Sequence, residues 1–109
     1  MAYSETLAQR VRAILLEQGE IREQKMFGGL TFMLRGNMCC GILGDALMVR
    51  VGPEQVAAAL AHPHARRADF TGRPMKGMVM VAPAGVATDE DLADWVGKGV
   101  AFAASLPAK

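Results

Sequence analysis

The sequence has no long apolar run and almost no net charge. No stretch approaches the roughly 18 uncharged apolar residues of a membrane-spanning helix, and the first twenty residues, MAYSETLAQRVRAILLEQGE, lack the apolar core of a signal peptide. The 109 residues include 12 basic and 11 acidic side chains, so the net charge of +1 produces no overall field that attracts nucleic acid or anionic lipid. These absences predict a cytoplasmic protein without membrane contact.

Cysteine is scarce, and the two thiols are adjacent, at Cys39 and Cys40 in the run NMCCGIL. The reducing cytoplasm argues against a disulfide, and a tetrahedral metal site needs spaced ligands. We therefore expect no metal, and we expect the pair to pack in the core. Because neighbouring strand residues face opposite sides, one thiol should face the helices and the other should face away. A nucleophilic cysteine with His62 or His64 as its base is a more distant alternative.

Catalytic and cofactor motifs are also missing. The glycine pair in KMFGGL precedes a predicted strand and fits neither phosphate-binding glycine pattern, so it indicates a turn or a bulge. Asp89, Glu90, Asp91 and Asp94 lie at the start of a predicted helix, where acidic side chains stabilise the positive end of the dipole. No Ser/His/Asp arrangement has familiar flanking residues. We expect no catalytic residues, no cofactor and no enzymatic activity.

Three segments have apolar residues at helical spacing. The first extends from Ser4, a candidate N-cap, to Gly19; the second follows Gly52-Pro53, and the third follows Thr88. Their apolar stripes are Leu7, Val11, Ile14 and Leu15, then Val56, Ala59 and Leu60, then Leu92, Trp95, Val96, Gly99 and Phe102. Trp95 is the largest of these side chains, and we expect it to be buried against a sheet.

Between the first two helices, residues 21–51 alternate in the pattern of strands. Turns at Gly28-Gly29, Gly36-Asn37 and Gly44-Asp45 divide the region into an antiparallel meander. One face should be buried under the helices and comprises Leu30, Phe32, Leu34, Leu47, Val49 and Val51; the other comprises Thr31, Met33, Arg35, Ala46, Met48 and Arg50.

The second half of the chain adds two further strands. Residues 62–77 predict a loop or a short edge strand containing Arg66 to Phe70, and MVMVAP at 78–83 predicts a buried strand. The element order is then α-β-β-β-β-α-β-β-α in one domain spanning residues 1–109. This order predicts an α+β fold, a two-layer α/β sandwich with an antiparallel sheet and helices on one face.

Two surfaces are candidates for contact with a partner. Arg66, Arg67, Arg73 and Lys76 form a local basic stretch that could contact an anion, a phosphate backbone or an acidic peptide, although solvated loop charge is the simpler interpretation. Methionine is frequent on the predicted strands, and it suits surfaces that adapt to varied partners as well as irregular cores. The candidate interface residues are Met33, Met48, Arg35 and Arg50.

Several motifs together resemble a known family. KMFGGLTFMLRGNMCCGILGDALMVRV, the strand MVMVAP and the terminal DLADWVGKGVAFAASL are similar to the N-terminal domain of the TfoX/Sxy family, and Met26-Phe27-Gly28-Gly29 is the most distinctive piece. The resemblance implies a two-layer fold like that of type III secretion chaperones. It also implies a link to bacterial regulation of competence genes together with a cyclic-AMP receptor protein. Full-length members continue into a second, helical domain. The present sequence ends at Lys109 without one, so we expect a stand-alone N-terminal domain here.

Our leading functional hypothesis is a non-enzymatic regulatory or protein-interaction domain. We expect a homodimer or a partner-bound form that uses the outer sheet face or an edge strand, because apolar residues occur on both strand faces and the helices can cover only one well. The alternative is a small nucleic-acid-binding module that uses the basic loop 66–76, with weak and salt-dependent affinity.

Overall fold

The computed structural model describes the backbone of residues 3–18, 20–26, 28–70 and 73–107; the side chains at 26, 68–70 and 73–76 lie outside the description. The helices are α1 (Glu5–Leu15), α2 (Val56–Leu60) and α3 (Asp89–Ala104). The strands are β1 (Ile21–Met26), β2 (Gly29–Leu34), β3 (Asn37–Leu43), β4 (Ala46–Arg50), β5 (Ala65–Phe70) and β6 (Arg73–Val81). The predicted α+β order is confirmed. The predicted helix stop at Gly19 and Phe27 of the family motif lie outside the described residues.

Side-chain caps determine where the two longer helices begin. The Ser4 hydroxyl accepts a hydrogen bond from the Leu7 amide at 3.2 Å, and the Thr88 hydroxyl accepts one from the Asp91 amide at 3.1 Å. Each satisfies a backbone N–H that has no partner within the first helical turn. Both N-caps were predicted from the sequence, and both are confirmed.

The six strands form one antiparallel sheet in the order β1-β2-β3-β4-β6-β5. The first four form the predicted meander. After β4 the chain passes through α2 and skips one strand position. The next strand, β5, lies at the edge of the sheet, and β6 returns to pair with both β4 and β5. The turn between β2 and β3 uses Arg35 (φ 51°) and Gly36 (φ 84°), two left-handed residues that match the twist of a two-residue hairpin.

The main core lies between the three helices and one face of the sheet. It contains the predicted inward set, from Leu30 and Phe32 on β2 to Leu47 and Val49 on β4, together with the buried stripes of the helices. Trp95 is only 5% exposed within it, which confirms its predicted burial. All three helices contribute to this one core, so they lie on the same side of the sheet.

A β-bulge places both cysteines in that core. Phe32 pairs with Cys40 but Met33 pairs with Met38, so Cys39 is an extra residue on β3. Cys39 Sγ lies 3.3 Å from the position that a Cβ on Gly99 of α3 would occupy. The prediction that the two thiols face opposite sides of the sheet is wrong, because the bulge interrupts the alternation on which it rests.

The opposite sheet face is apolar and is also buried. Met38, Ala46, Met48, Met78 and Met80 form a second cluster in which each residue is at most 9% exposed. The sequence predicted that Met48 lies in an uncovered methionine patch. That prediction is wrong, because Met48 is only 3% exposed. Among the residues that the structure describes, Leu16, at 80%, is the large apolar side chain that solvent reaches freely.

Candidate functional site

The predicted basic stretch lies on the hairpin of β5 and β6. Arg66 and Arg67 are exposed on the edge strand β5, and they pair with Met80 and Val79 of β6. Because neighbouring strand residues alternate, the two arginines belong to opposite faces of the sheet. Arg73 pairs with Phe70 across the same hairpin. The side chains of Arg73 and Lys76 lie outside the described residues, so the described basic surface consists of Arg66 and Arg67 at one edge of the sheet.

The other edge of the sheet is built differently. Glu23 on β1 accepts hydrogen bonds from the Arg12 guanidinium at 2.6 and 2.8 Å, and Arg12 also donates to Glu5 at 2.9 Å. The hydrogen bond from Arg12 lowers the pKa of the Glu23 carboxyl, and its bonds to the two carboxylates raise the pKa of Arg12. The Arg12–Glu23 pair joins α1 to β1, and the Arg12–Glu5 pair lies within α1, so the Glu23 carboxylate of this edge is engaged in a contact within the chain.

The four predicted interface residues do not form one surface. Met48 is buried, whereas Met33 is half-buried. Arg35 lies in the β2–β3 turn, with its guanidinium 3.4 Å from the Glu20 carboxylate. The Arg50 guanidinium is 5.2 Å from the centre of the Phe102 ring of α3, so it reaches past the end of β4 toward the helix layer.

The two thiols are enclosed in the core and are not exposed at the surface. Both cysteines are fully buried, whereas His62 and His64 are exposed. Hydrogen bonding with Cys39 and burial raise the pKa of the Cys40 thiol well above its usual value. This environment disfavours the thiolate that nucleophilic chemistry requires. In the described ranges, no group of three or more His, Cys, Asp or Glu residues could hold a metal ion.

A groove of about 720 Å³ opens between α2 and α3. Gly52 lies at one end of the groove, where its φ is 91° and an added Cβ would lie 2.6 Å from the Phe102 ring. At the other end the His62 ring meets Trp95 edge-on, with ring centres 4.9 Å apart, and the Lys98 ammonium lies 5.7 Å from the centre of the Trp95 ring. His62 and Lys98 line the groove, whereas the Trp95 ring that they contact lines a neighbouring smaller cavity.

Sequence reasoning missed this groove because its residues come from two separate segments. Residues 51–62, which include α2, and the second half of α3 lie side by side only in the folded chain. The glycine before Pro53 and the position of Lys98 beside the apolar stripe of α3 were available signals. Neither signal indicates a cavity until the relative positions of α2 and α3 are known.

One comparison with known proteins identifies a family. The model of the family described as the TfoX N-terminal domain matches residues 13–103, which is most of the chain. No curated protein and no solved structure matches the chain significantly. Within the described ranges, no helix has both the length and the hydropathy that crossing a bilayer requires.

Proposed function

The chain belongs to the TfoX N-terminal domain family, and from this premise we propose that it is a non-enzymatic regulatory or protein-interaction domain that acts in the cytoplasm. The family resemblance supports a role in the regulation of competence genes. The described residues also support a binding role over a catalytic one, because both thiols are enclosed and both histidines lie outside the core.

The basic edge strand β5 is the observation that carries this proposal. An edge strand offers unpaired backbone N–H and C=O groups to an added strand. On β5, Arg66 and Arg67 would flank that added strand on its two faces. An extended acidic segment of a protein partner would then receive backbone hydrogen bonds and charge-assisted contacts from the arginines. Edge β1 differs in that Glu23 is paired with Arg12 of α1, so part of that edge is already engaged within the chain.

Site-specific photo-cross-linking in the native cell tests this function. A photoreactive amino acid replaces Arg66, and the matched control replaces Lys25 on the opposite edge strand, which is also exposed. We expect a discrete protein adduct from position 66 and none from position 25. Adducts with nucleic acid at position 66, or an equal protein adduct from both edges, would contradict the proposal.

Self-association is the second form that this binding role could take, and sedimentation equilibrium at micromolar concentration measures it. A homodimer through β5 should sediment at twice the 11.6 kDa chain mass. Because two copies of β5 bring their arginines together, added salt that screens this repulsion should strengthen the dimer, whereas Arg22→Glu on β1 should leave it intact. A monomer that gives no protein adduct at position 66 would contradict both forms of the proposal.

A further inference from the structure

The groove between α2 and α3 has the dimensions and composition of a ligand site. Its volume of about 720 Å³ lies within the range of roughly 300–1,000 Å³ typical of pockets for small molecules. Ala58 of α2 and Ala101 of α3 are exposed and contribute to the lining, together with the half-buried Phe102 ring. Small side chains on two facing helices leave the space open, and the aromatic ring supplies an apolar surface.

The two ends of the groove differ in charge. Lys98 and His62 lie at one end, and the Lys98 ammonium is placed near the Trp95 ring. Glu54 and Ser105 line the other end, where α3 terminates with its negative dipole end. The Ser105 hydroxyl donates to the Phe102 carbonyl at 2.6 Å, so it is already engaged in the helix terminus. An anionic group is therefore favoured at the Lys98 end and disfavoured at the Ser105 end.

The acidic residues near Lys98 face a different cavity. Asp91 and Asp94 line a smaller space of about 220 Å³, and that space shares His62 and Lys98 with the groove. Among the described residues that line the groove itself, the acidic side chain is Glu54. Lys98 lines both spaces. Its ammonium lies at the Trp95 ring, on the side of the smaller space, and a change of side-chain rotamer would turn it into the groove.

We propose that this groove binds a small carboxylic acid with an apolar body, with the carboxylate at Lys98 and the body against Ala101 and Phe102. Lys98 and Ser105 are about two helical turns apart, which corresponds to roughly 10 Å along α3. Over that distance a linear acid of medium chain length would extend from the cationic end past the Phe102 ring toward Ser105. This site is separate from edge strand β5, so its test is independent of the proposed protein contact.

Titration with octanoate, followed by the backbone amide signals of the full chain, tests the proposal. We expect saturable shifts concentrated at Gly52, Ala58 and Ala101, and weaker binding of octan-1-ol, which has the same chain without the charge. Lys98→Met should weaken octanoate binding about threefold to tenfold and leave octan-1-ol unchanged, because one charge-assisted contact is lost while the apolar stem is kept. Lys98→Arg should restore most of the affinity, and the distant Lys25→Met should have no effect.

A second pair of variants tests the location. Ala101→Trp fills the groove and should abolish binding, whereas Ala93→Trp, on an exposed position of the same helix outside the groove, should not change it. Ala58→Trp on the facing helix repeats the block if Ala101→Trp fails to fold. Undiminished octanoate binding in the folded blocking variant, shifts centred on the methionine cluster, or equal affinity for octan-1-ol would overturn the proposal.

Discussion

The two faces of the sheet are both buried, but they are built from different side chains. The helix-covered face uses Phe32, Val49 and Val79, each with 0% exposure, against branched and aromatic residues of the helices. The opposite face uses Met38, Met48, Met78 and Met80, and its buried polar residue is Thr31. Branched and aromatic side chains have few rotamers and specify one packing arrangement, whereas methionine adapts its shape to irregular space.

Local geometry on the methionine face agrees with that adaptability. The Met48 methyl group lies 3.1 Å from the position that a Cβ on Gly41 would occupy, so the glycine leaves the space that this methionine fills. The Thr31 hydroxyl is buried without a hydrogen-bond partner within the described residues. We infer that the helix face specifies the fold and that the methionine face tolerates imperfect packing. The following predictions test this difference.

The largest effect is expected at Trp95 on the helix side. Trp95→Ala should lower the free energy of unfolding by about 3–5 kcal/mol, because it removes the largest buried side chain of α3 and leaves a cavity. A urea titration measures the loss, and a value below about 1 kcal/mol would contradict the packing described above.

A glycine pair on α3 tests how closely the helix approaches the sheet. A Cβ at Gly99 would overlap the Cys39 carbonyl oxygen, whereas nothing lies within 4 Å of a Cβ at the exposed Gly97. Gly99→Ala should destabilise by about 1–3 kcal/mol, since neither backbone can yield easily. Gly97→Ala should stabilise by up to about 1 kcal/mol through helix propensity. Thermal unfolding of the two variants gives the comparison, and equal effects would show that α3 does not contact β3 closely.

Adjacent residues of β6 compare the two faces directly. Val79 faces the helices and Met80 faces the methionine cluster. Val79→Leu should cost about 1–3 kcal/mol, because an extra methylene must fit a close-packed core. Met80→Leu should cost less than about 1.5 kcal/mol, because the volume is conserved. Chemical denaturation distinguishes them, and a greater loss for Met80→Leu would reverse the assignment of the more specific face.

The smallest effect, and a gain, is expected at Thr31. Thr31→Val should raise the free energy of unfolding by about 1 kcal/mol, because it replaces a buried hydroxyl without a described partner by a methyl group of similar size. Differential scanning calorimetry should show a higher Tm for the variant. A lower Tm would mean that the hydroxyl makes a hydrogen bond that stabilises this face.

Much of the fold was predictable from local pattern. Alternation identified the helix-facing residues of β2 and β4, and the N-caps Ser4 and Thr88 marked the starts of α1 and α3. These signals are local, since a cap lies within one turn of the groups it satisfies and alternation follows from the backbone of a single strand. The family resemblance also depended on sequence alone, and the family match over residues 13–103 confirmed it.

The functional surfaces were less predictable. The sequence predicted a loop or a short edge strand for the four basic residues, whereas they lie on a hairpin whose second strand, β6, already begins at Arg73. The four predicted interface residues were grouped by alternation alone, and they separate because Met48 is buried and Arg50 turns toward Phe102. The groove requires α2 and α3 to lie on either side of one space, which no spacing in the sequence indicates.

The sequence by itself determined the elements, their order and the residues that one sheet face buries, because these depend on the short-range geometry of helices and strands. Only the tertiary structure decided that β6 rather than β5 pairs with β4, that a bulge turns both Cys39 and Cys40 toward α3, and that the methionine face is buried. Each of these outcomes depends on contacts between residues far apart in the chain. Local pattern carries no information about which distant partner a strand or a helix will meet.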